Sequence, residues 1–120
     1  MSNFYKGKNM SNFYKGKNIV VAGGSGFIGT HYIKELLKRG ANVTTHTHKR
    51  NLQVQDDKIK VVNNLDLEKL EDCYKLVEGS DYLIHAAGRI CHPASVPTDI
   101  EVSIQNIKVT GNLLEASHKS

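Results

Sequence analysis

Short apolar runs alternate along the chain with longer segments in which apolar residues recur every three or four positions. The short runs have the length of strands and predict them near residues 18–22, 42–47, 59–62 and 81–86. The helical spacing predicts helices near residues 26–39, 66–79 and 98–117. Strands and helices therefore alternate along the chain, except that no helix is predicted between the second and third strands.

Alternation of this kind requires parallel strands that are joined by right-handed helical crossovers. The sequence therefore predicts an α/β fold, a doubly wound parallel sheet of the Rossmann type, truncated to about four strands in the order 3-2-1-4. In such sheets a ligand lies outside the carboxyl ends of the strands, where the strand order reverses. That point lies between strands one and four.

The last two predicted helices carry start signals. Asp66 is predicted to cap the first of them, and residues 98–101, Thr-Asp-Ile-Glu, are predicted to form a capping box for the second. One face of the last helix is apolar and consists of Ile100, Ile104, Ile107, Gly111 and Leu114. In a four-stranded unit this face and the edge of strand four would be partly uncovered, so we expect self-association through them.

A glycine-rich turn joins the first strand to the first helix. Gly24, Gly26 and Gly29 have the spacing G-x-G-x-x-G, while Gly23, Gly26 and Gly29 have the spacing G-x-x-G-x-x-G. Glycine lets a pyrophosphate reach the main-chain N–H groups and the N-terminus of the helix. The arrangement predicts a dinucleotide site, and a tight turn without a ligand is the alternative. A triphosphate P-loop is excluded, because Thr30 stands where such loops have lysine.

Four segments share their order and spacing with one known family: residues 22–29, 66–67, 81–87 and 106–116. They resemble, in turn, T-G-x-x-G-F-I-G, an acidic adenine-contacting pair, D-x-x-x-H-x-A-A and N-x-x-G-T-x-N-L-L-E-A. These are patterns of the extended short-chain dehydrogenase/reductases, which include NAD-dependent sugar-nucleotide epimerases and dehydratases. Ala22 replaces the usual threonine, Val109 replaces the usual glycine, and His85 is followed directly by Ala86 and Ala87 without the intervening residue. The four segments together are more specific than any one of them.

The resemblance implies a role in dinucleotide binding for each matched position. The glycines that would admit the pyrophosphate are Gly23, Gly26 and Gly29. The main-chain donors to it would be Ser25, Phe27 and Ile28. The adenine would be contacted by Asp66 and Leu67, with the Asp66 carboxylate accepting from its amino group. The floor under the nicotinamide-side ribose would be Ala86, Ala87 and Gly88, and Asn106 would lie beside the catalytic region.

The end of strand two bears on the choice between NAD and NADP. NAD-specific domains place an aspartate or glutamate there to bond the ribose 2′-OH, whereas this chain has Thr47 followed by His48, Lys49 and Arg50. Because positive charge suits a 2′-phosphate, we expect NADP as the cofactor, with NAD as the alternative. A solvated turn that is merely basic is the other interpretation.

The catalytic groups that the resemblance implies are a serine or threonine on a fifth strand and a Y-x-x-x-K pair, whose lysine lowers the tyrosine pKa. None of the five tyrosines has a lysine four residues later, and the sequence ends where a fifth strand would begin. We therefore assign no catalytic residue, and we expect residues 10–120 to be the N-terminal half of an NAD(P)-binding domain that is inactive alone.

The parent reaction of such a domain would be hydride transfer on a sugar nucleotide or similar alcohol, in an epimerase, dehydratase or reductase. A non-catalytic module that senses NAD(P) is an alternative from another class. A truncated product without a function of its own is a third interpretation.

The first nine residues recur without change as the next nine. We expect residues 1–9 to be a duplicated or vector-derived extension that is disordered. An aromatic and basic arm with a function of its own is the alternative.

The net charge of +4 includes Lys6 and Lys8 of that extension, and no aromatic and basic stripe follows it. We therefore expect no binding to nucleic acid. No apolar run has the length of a membrane span or of a signal peptide core, so the sequence predicts a cytoplasmic protein that does not bind membranes.

The cysteines and histidines suggest no further chemistry. Cys73 and Cys91 lack the C-x-x-C spacing of zinc or redox sites. His46 and His48 could share a metal, but the sequence offers no carboxylate or thiol beside them, so we expect no metal site. The adjacent Cys91 and His92 lack an orienting acid and are not expected to act as a nucleophile and base.

Overall fold

The computed structural model describes residues 10–88 and 96–119, and the side chains of 12–88 and 100–119. Eight elements follow one another in these ranges: α1 (Met10–Phe13), β1 (Asn18–Ala22), α2 (Phe27–Lys38), β2 (Asn42–His46), β3 (Ile59–Val62), α3 (Leu70–Val77), β4 (Tyr82–His85) and α4 (Val96–Lys119). The sequence pattern predicted all of them except the short helix α1.

The four strands form one parallel sheet in the order β3-β2-β1-β4, as predicted. Val20 of β1 is in register with Thr44 of β2 and with Leu83 of β4. Because β1 is central, the carboxyl ends of β2 and β4 lie on either side of the glycine-rich turn that follows it.

Helices cover both faces of the sheet, since alternate residues of β1 point in opposite directions. Ile19 and Val21 are buried with Ile33 and Leu36 of α2 on one face. On the other face, Val20 and Ala22 are buried with residues of α3 and α4: Cys73, Leu76, Val77, Leu113 and Ala116. The protein is thus a doubly wound α/β fold.

Two predicted helix starts are wrong. Asp66 does not cap α3, which begins at Leu70 with Lys69 in the cap position. Instead, Asp66 begins a separate turn, in which its carbonyl accepts from the Lys69 N–H at 2.9 Å. Helix α4 begins at Val96 rather than at Thr98. Pro97 fits inside this helix because the first turn needs no N–H from it.

Residues 1–9 and the Cys91-His92 pair lie outside the described residues, so the expectations about them stay predictions. No helix within residues 10–88 or 96–119 is both long and apolar enough to span a membrane.

Candidate functional site

A cleft of about 490 Å³ lies at the carboxyl ends of β1, β2 and β4. Its walls come from the β1–α2 turn, the residues after β2, the segment before α3, the residues after β4 and the side of α4. Most of the predicted site residues line it: Gly23, Ser25, Gly26, His48, Lys49, Arg50, Asp66, Leu67, Ala86, Ala87, Gly88 and Asn106. The fold therefore brings together segments that are far apart in the sequence.

Three predicted residues do not line the cleft: Phe27, Ile28 and Gly29. The side chains of Phe27 and Ile28 are exposed at the start of α2, and the expectation for them concerned only their main-chain N–H groups. Gly29 packs beneath the turn, where a Cβ atom would collide with the carbonyl oxygen of Gly23. Contacts within the protein are therefore sufficient to require glycine at position 29.

Gly23 and Gly24 are also required by the protein itself. Gly23 has a φ angle of +89°, and a Cβ atom on it would lie 2.5 Å from the backbone of Ala86 and Ala87. A Cβ atom on Gly24 would collide with Oγ1 of Thr45. These two glycines let the turn pack between the ends of β2 and β4.

Gly26 differs from the other glycines of the turn. Its φ angle is −83°, which any residue adopts, and a Cβ atom on it would have only the carbonyl oxygen of Gly23 nearby, at 3.5 Å. Nothing in the described protein therefore requires glycine here. Because Gly26 lines the cleft at the N-terminus of α2, the space that a side chain would fill is available to a ligand. From the sequence, we expect a pyrophosphate at this position.

The start of α2 has no side-chain cap. The first N–H groups of a helix have no partner within that helix, and together with the helix dipole they favour an anion. Thr30 tightens this first turn, since its hydroxyl donates to the carbonyl oxygen of Gly26 at 2.6 Å. The N-terminus of α2 is thus suited to receive a phosphate group.

His46, the last residue of β2, is a part of the site that the sequence analysis did not assign to cofactor binding. It lines the cleft, is 7% exposed, and its Nε2 accepts from the backbone N–H of Gly23 at 2.9 Å. Burial, with a smaller contribution from His48, lowers the pKa of His46 to about 4. The imidazole is therefore neutral at pH 7 and able to accept this hydrogen bond.

The residues after β2 form a basic rim of the cleft. His48, Lys49 and Arg50 have exposed side chains. Thr47, which precedes them, is held by β3, since its N–H donates to the carbonyl oxygen of Val62 and its hydroxyl bonds Oδ1 of Asn63. The described residues contain no group of three histidines, cysteines or carboxylates that could hold a metal ion.

The opposite wall is the segment before α3. Oδ1 of Asp66 accepts from the N–H of Glu68 at 3.0 Å, which orients the carboxylate. The carbonyl oxygen of Leu67 accepts from Nδ2 of Asn112 and from the Cys73 thiol. Burial, followed by the charges of Asp72 and Asp66, raises the pKa of Cys73 to about 11, so this thiol is not a nucleophile at neutral pH.

The floor of the cleft is the chain that leaves β4. The N–H of Ala86 donates to the carbonyl oxygen of Ala22, which extends the sheet contact by one residue. Nδ1 of His85 accepts from the N–H of Ala87 at 3.3 Å, and Nε2 lies 2.8 Å from Oγ1 of Thr110. Burial lowers the pKa of His85, which favours the neutral ring that this arrangement needs. His85 thereby ties the floor to α4.

Five residues of the cleft were absent from the sequence prediction: His46, Leu65, Glu68, Gln105 and Val109. Gln105 and Val109 flank Asn106 on the same side of α4, so helical spacing from Asn106 was the signal that could have found them. Leu65 and Glu68 flank the predicted Asp66-Leu67 pair. For His46 the only signal was a polar residue at the end of a buried strand.

The chain resembles known proteins over most of its length. It is 35% identical over 100 residues to the uncharacterized protein 052L of Frog virus 3 (isolate Goorha), which covers 79% of this chain and 28% of that protein. It is 30% identical over 105 residues to a UDP-N-acetyl-alpha-D-glucosaminuronate decarboxylase of Bacillus cytotoxicus, which covers 83% of this chain and 32% of the enzyme.

Among solved structures, the epimerase Mth375 of Methanothermobacter thermautotrophicus superposes with a TM-score of 0.80 at 24% identity. The match covers 95% of this chain and 35% of that one. The chain thus spans about a third of the length of these three proteins. The sequence pattern of the NAD dependent epimerase/dehydratase family matches residues 19–120, and the chain therefore belongs to this family.

Proposed function

We propose that this chain binds a nicotinamide dinucleotide in the cleft at the carboxyl ends of β1, β2 and β4. The observation that carries the proposal is Gly26, which lines the cleft and has open space where a side chain would be. The uncapped N-terminus of α2 beside it supports an anionic ligand. Membership of a family whose members are NAD dependent supports a dinucleotide as that ligand.

The walls of the cleft suggest the orientation of the dinucleotide. The pyrophosphate would lie over Gly26 and Ser25, and the adenine would contact Asp66 and Leu67 on the wall before α3. The nicotinamide-side ribose would rest on the floor, whose residues are Ala86, Ala87 and Gly88. Asn106 of α4 would lie beside the nicotinamide. The bound cofactor would supply hydride transfer, and these residues would hold and orient it.

Substitution of Gly26 by alanine tests the proposal, because the fold tolerates the new methyl group and the ligand does not. We expect Gly26→Ala to weaken dinucleotide affinity at least tenfold in calorimetric titration, while the melting temperature changes by no more than a few degrees. Gly111→Ala is the matched control, since a Cβ atom at this exposed position on α4 meets nothing within 4 Å. Equal affinities of Gly26→Ala and the unmutated chain would contradict the proposed position of the pyrophosphate.

For the choice of cofactor we propose NADP over NAD. His48, Lys49 and Arg50 line the cleft beside the end of β2, and no carboxylate occupies position 47. Charge-assisted hydrogen bonds to a phosphate contribute about 1.5–3 kcal/mol each, less where the cation is exposed. We therefore expect the unmutated chain to bind NADP about tenfold more tightly than NAD.

Removal of both long cations, in Lys49→Ala/Arg50→Ala, should bring the two affinities close together. Lys34→Ala on α2 is a control that removes a cation away from the cleft and should leave the preference in place. If the unmutated chain binds NADP and NAD equally, the basic rim is only a solvated turn.

We further propose that the parent protein is an epimerase, dehydratase or reductase that transfers hydride on a sugar nucleotide or similar alcohol. The similarity to a decarboxylase of a UDP-sugar acid supports this substrate class. A non-catalytic NAD(P)-sensing module is the competing function. The two differ in the encoding sequence beyond Ser120, where an enzyme would carry a fifth strand and a Y-x-x-x-K pair.

We also propose that the chain associates with itself through α4 and the edge of β4. Four large apolar side chains on α4 support this, since more than half of the surface of each is exposed: Ile100, Ile104, Ile107 and Leu114. Their spacing of four, three and seven residues places them in one stripe along the helix. Tyr82 on the adjacent edge strand is also 47% exposed.

A further inference from the structure

His46 is a polar residue in a buried position. It follows the buried Thr45 at the end of β2 and is itself almost wholly buried. The single hydrogen bond that the described structure gives the ring is the one from the Gly23 N–H to Nε2, at 2.9 Å.

This hydrogen bond fixes the protonation of the ring. Since Nε2 accepts, a neutral imidazole must carry its proton on Nδ1. Nδ1 is buried and has no hydrogen-bond partner among the described residues. A buried donor without a partner lowers stability, so the packing of the protein alone does not explain a histidine here. What the histidine supplies is an acceptor for Gly23.

Gly23 contacts both the start of α2 and the floor of the cleft. Its carbonyl oxygen accepts from the N–H of Gly26 at 3.1 Å. Its Cα lies against the backbone of Ala86 and Ala87, with no room for a Cβ atom. The backbone conformation of Gly23, which links its N–H to its carbonyl, therefore sets the position of Gly26 relative to both the floor of the cleft and the N-terminus of α2.

We propose that His46 is a positioning residue, which holds the Gly23 peptide so that the glycine turn presents Gly26 and the start of α2 to the pyrophosphate of a dinucleotide. This inference rests on the proposed function. The end of β2 would then have two roles: the basic rim that follows it would contact the cofactor, and His46 would support the glycine turn. His46 acts through the turn and needs no contact with the cofactor.

Two substitutions separate this role from a purely structural one. His46→Gln keeps an acceptor oxygen close to the place of Nε2, whereas His46→Met has a similar length and apolar volume but no comparable acceptor. We expect His46→Met to weaken dinucleotide affinity roughly three- to tenfold, and His46→Gln to restore most of it. His118→Met, an exposed histidine near the end of α4, is the matched control and should bind as the unmutated chain does.

Nuclear magnetic resonance provides a measurement that does not depend on ligand binding. In the unmutated chain we expect the long-range proton–nitrogen correlations of His46 to show the proton on Nδ1. The amide resonance of Gly23 should shift in His46→Met and return toward its original position in His46→Gln. These signals are recorded without ligand, and melting temperatures are recorded for every variant.

The outcomes distinguish the two proposals. If the unmutated chain binds neither NAD nor NADP, the proposed function fails and this role fails with it. If the unmutated chain binds and folded His46→Met binds equally well, the proposed function stands and the positioning role is overturned. A proton on Nε2 of His46 in the unmutated chain also overturns the positioning role. This measurement decides the question even if His46→Met does not fold.

Discussion

At the scale of single residues, the glycines of the β1–α2 turn serve different purposes. Gly23, Gly24 and Gly29 are surrounded by protein atoms that exclude a Cβ atom, whereas Gly26 is bounded by the cleft. A pattern such as G-x-G-x-x-G does not separate these cases, because it records only spacing. The contacts that the fold creates distinguish Gly26, the one glycine of this turn whose missing side chain no contact among the described residues explains.

The ionisation of His46 predicts how stability depends on pH. Its pKa falls from 6.5 to about 4 on folding, so between these values the unfolded chain binds a proton that the folded chain does not. The contribution of this pKa shift to the free energy of unfolding is fully present above pH 6.5 and is lost as the pH falls toward 4. It amounts to on the order of 2 kcal/mol between pH 7 and pH 4.5.

Urea unfolding at a series of pH values checks this prediction. The unmutated chain should lose more stability between pH 7 and 4.5 than His46→Met, because the variant lacks this titration but keeps the carboxylates and His85. His118→Met, which removes an exposed histidine, should follow the unmutated chain. Parallel pH profiles for the unmutated chain and His46→Met would show that burial does not perturb His46 as described.

Most of the candidate site could be predicted from single residues, but His46 could not. Lys49 follows from its place after strand two, and Asp66 and Gly88 were expected from the family resemblance; the ends of these strands converge at one edge of the parallel sheet. The role of His46 depends on Gly23, which is 23 positions earlier in the sequence. Nothing in the sequence specifies that this imidazole and this peptide meet, because the meeting depends on strand register and on the backbone of the turn.

At the scale of elements, one face of α4 is buried and another is exposed to solvent. Leu113 and Ala116 are buried against the sheet and α3, and Val102 is buried as well, while the stripe with Ile104 and Ile107 is exposed. The apolar spacing in the sequence identified this stripe, which was expected to be partly uncovered in a four-stranded unit. The starts of α3 and α4 were predicted less well, because local capping patterns did not decide where either helix begins.

The exposed stripe predicts self-association that a charge on it would abolish. We expect the unmutated chain to form dimers or larger species at about 100 µM in light scattering, whereas Ile104→Glu or Ile107→Glu remains monomeric. Since both side chains are more than half exposed, the substitutions should leave the melting temperature of the monomer nearly unchanged. Gln53→Glu, at an exposed position outside α4, is the control that should still associate.

A monomeric unmutated chain over the whole concentration range would contradict this element-scale prediction. Association that persists in both glutamate variants would instead place the contact elsewhere, with the edge of β4 as the next candidate. Tyr82→Lys on that edge strand would then be the variant to compare.

At the scale of the whole molecule, the order β3-β2-β1-β4 leaves β3 and β4 at the edges of the described sheet and puts the glycine turn at its centre. This order was predictable, because alternating strands and helices with right-handed crossovers allow few arrangements. The cleft lies where the strand order reverses: from β1 the chain proceeds to β2 and β3 on one side, and β4 then pairs with the other side of β1. The chain nevertheless spans only about a third of the length of its relatives.

For the whole molecule we also predict that the 120-residue chain alone binds a dinucleotide but turns over no sugar nucleotide or alcohol. No tyrosine in the sequence has a lysine four residues later, so the chain lacks the tuned proton-transfer pair that the family resemblance implies. Absorbance of the reduced nicotinamide, followed with a panel of sugar nucleotides and either cofactor, should show no steady rate. Calorimetric binding on the same sample is the control for a functional cleft. Steady turnover by the purified chain would mean that a group within these residues moves the proton. His85, which precedes the floor of the cleft and contacts Thr110, would be the first candidate.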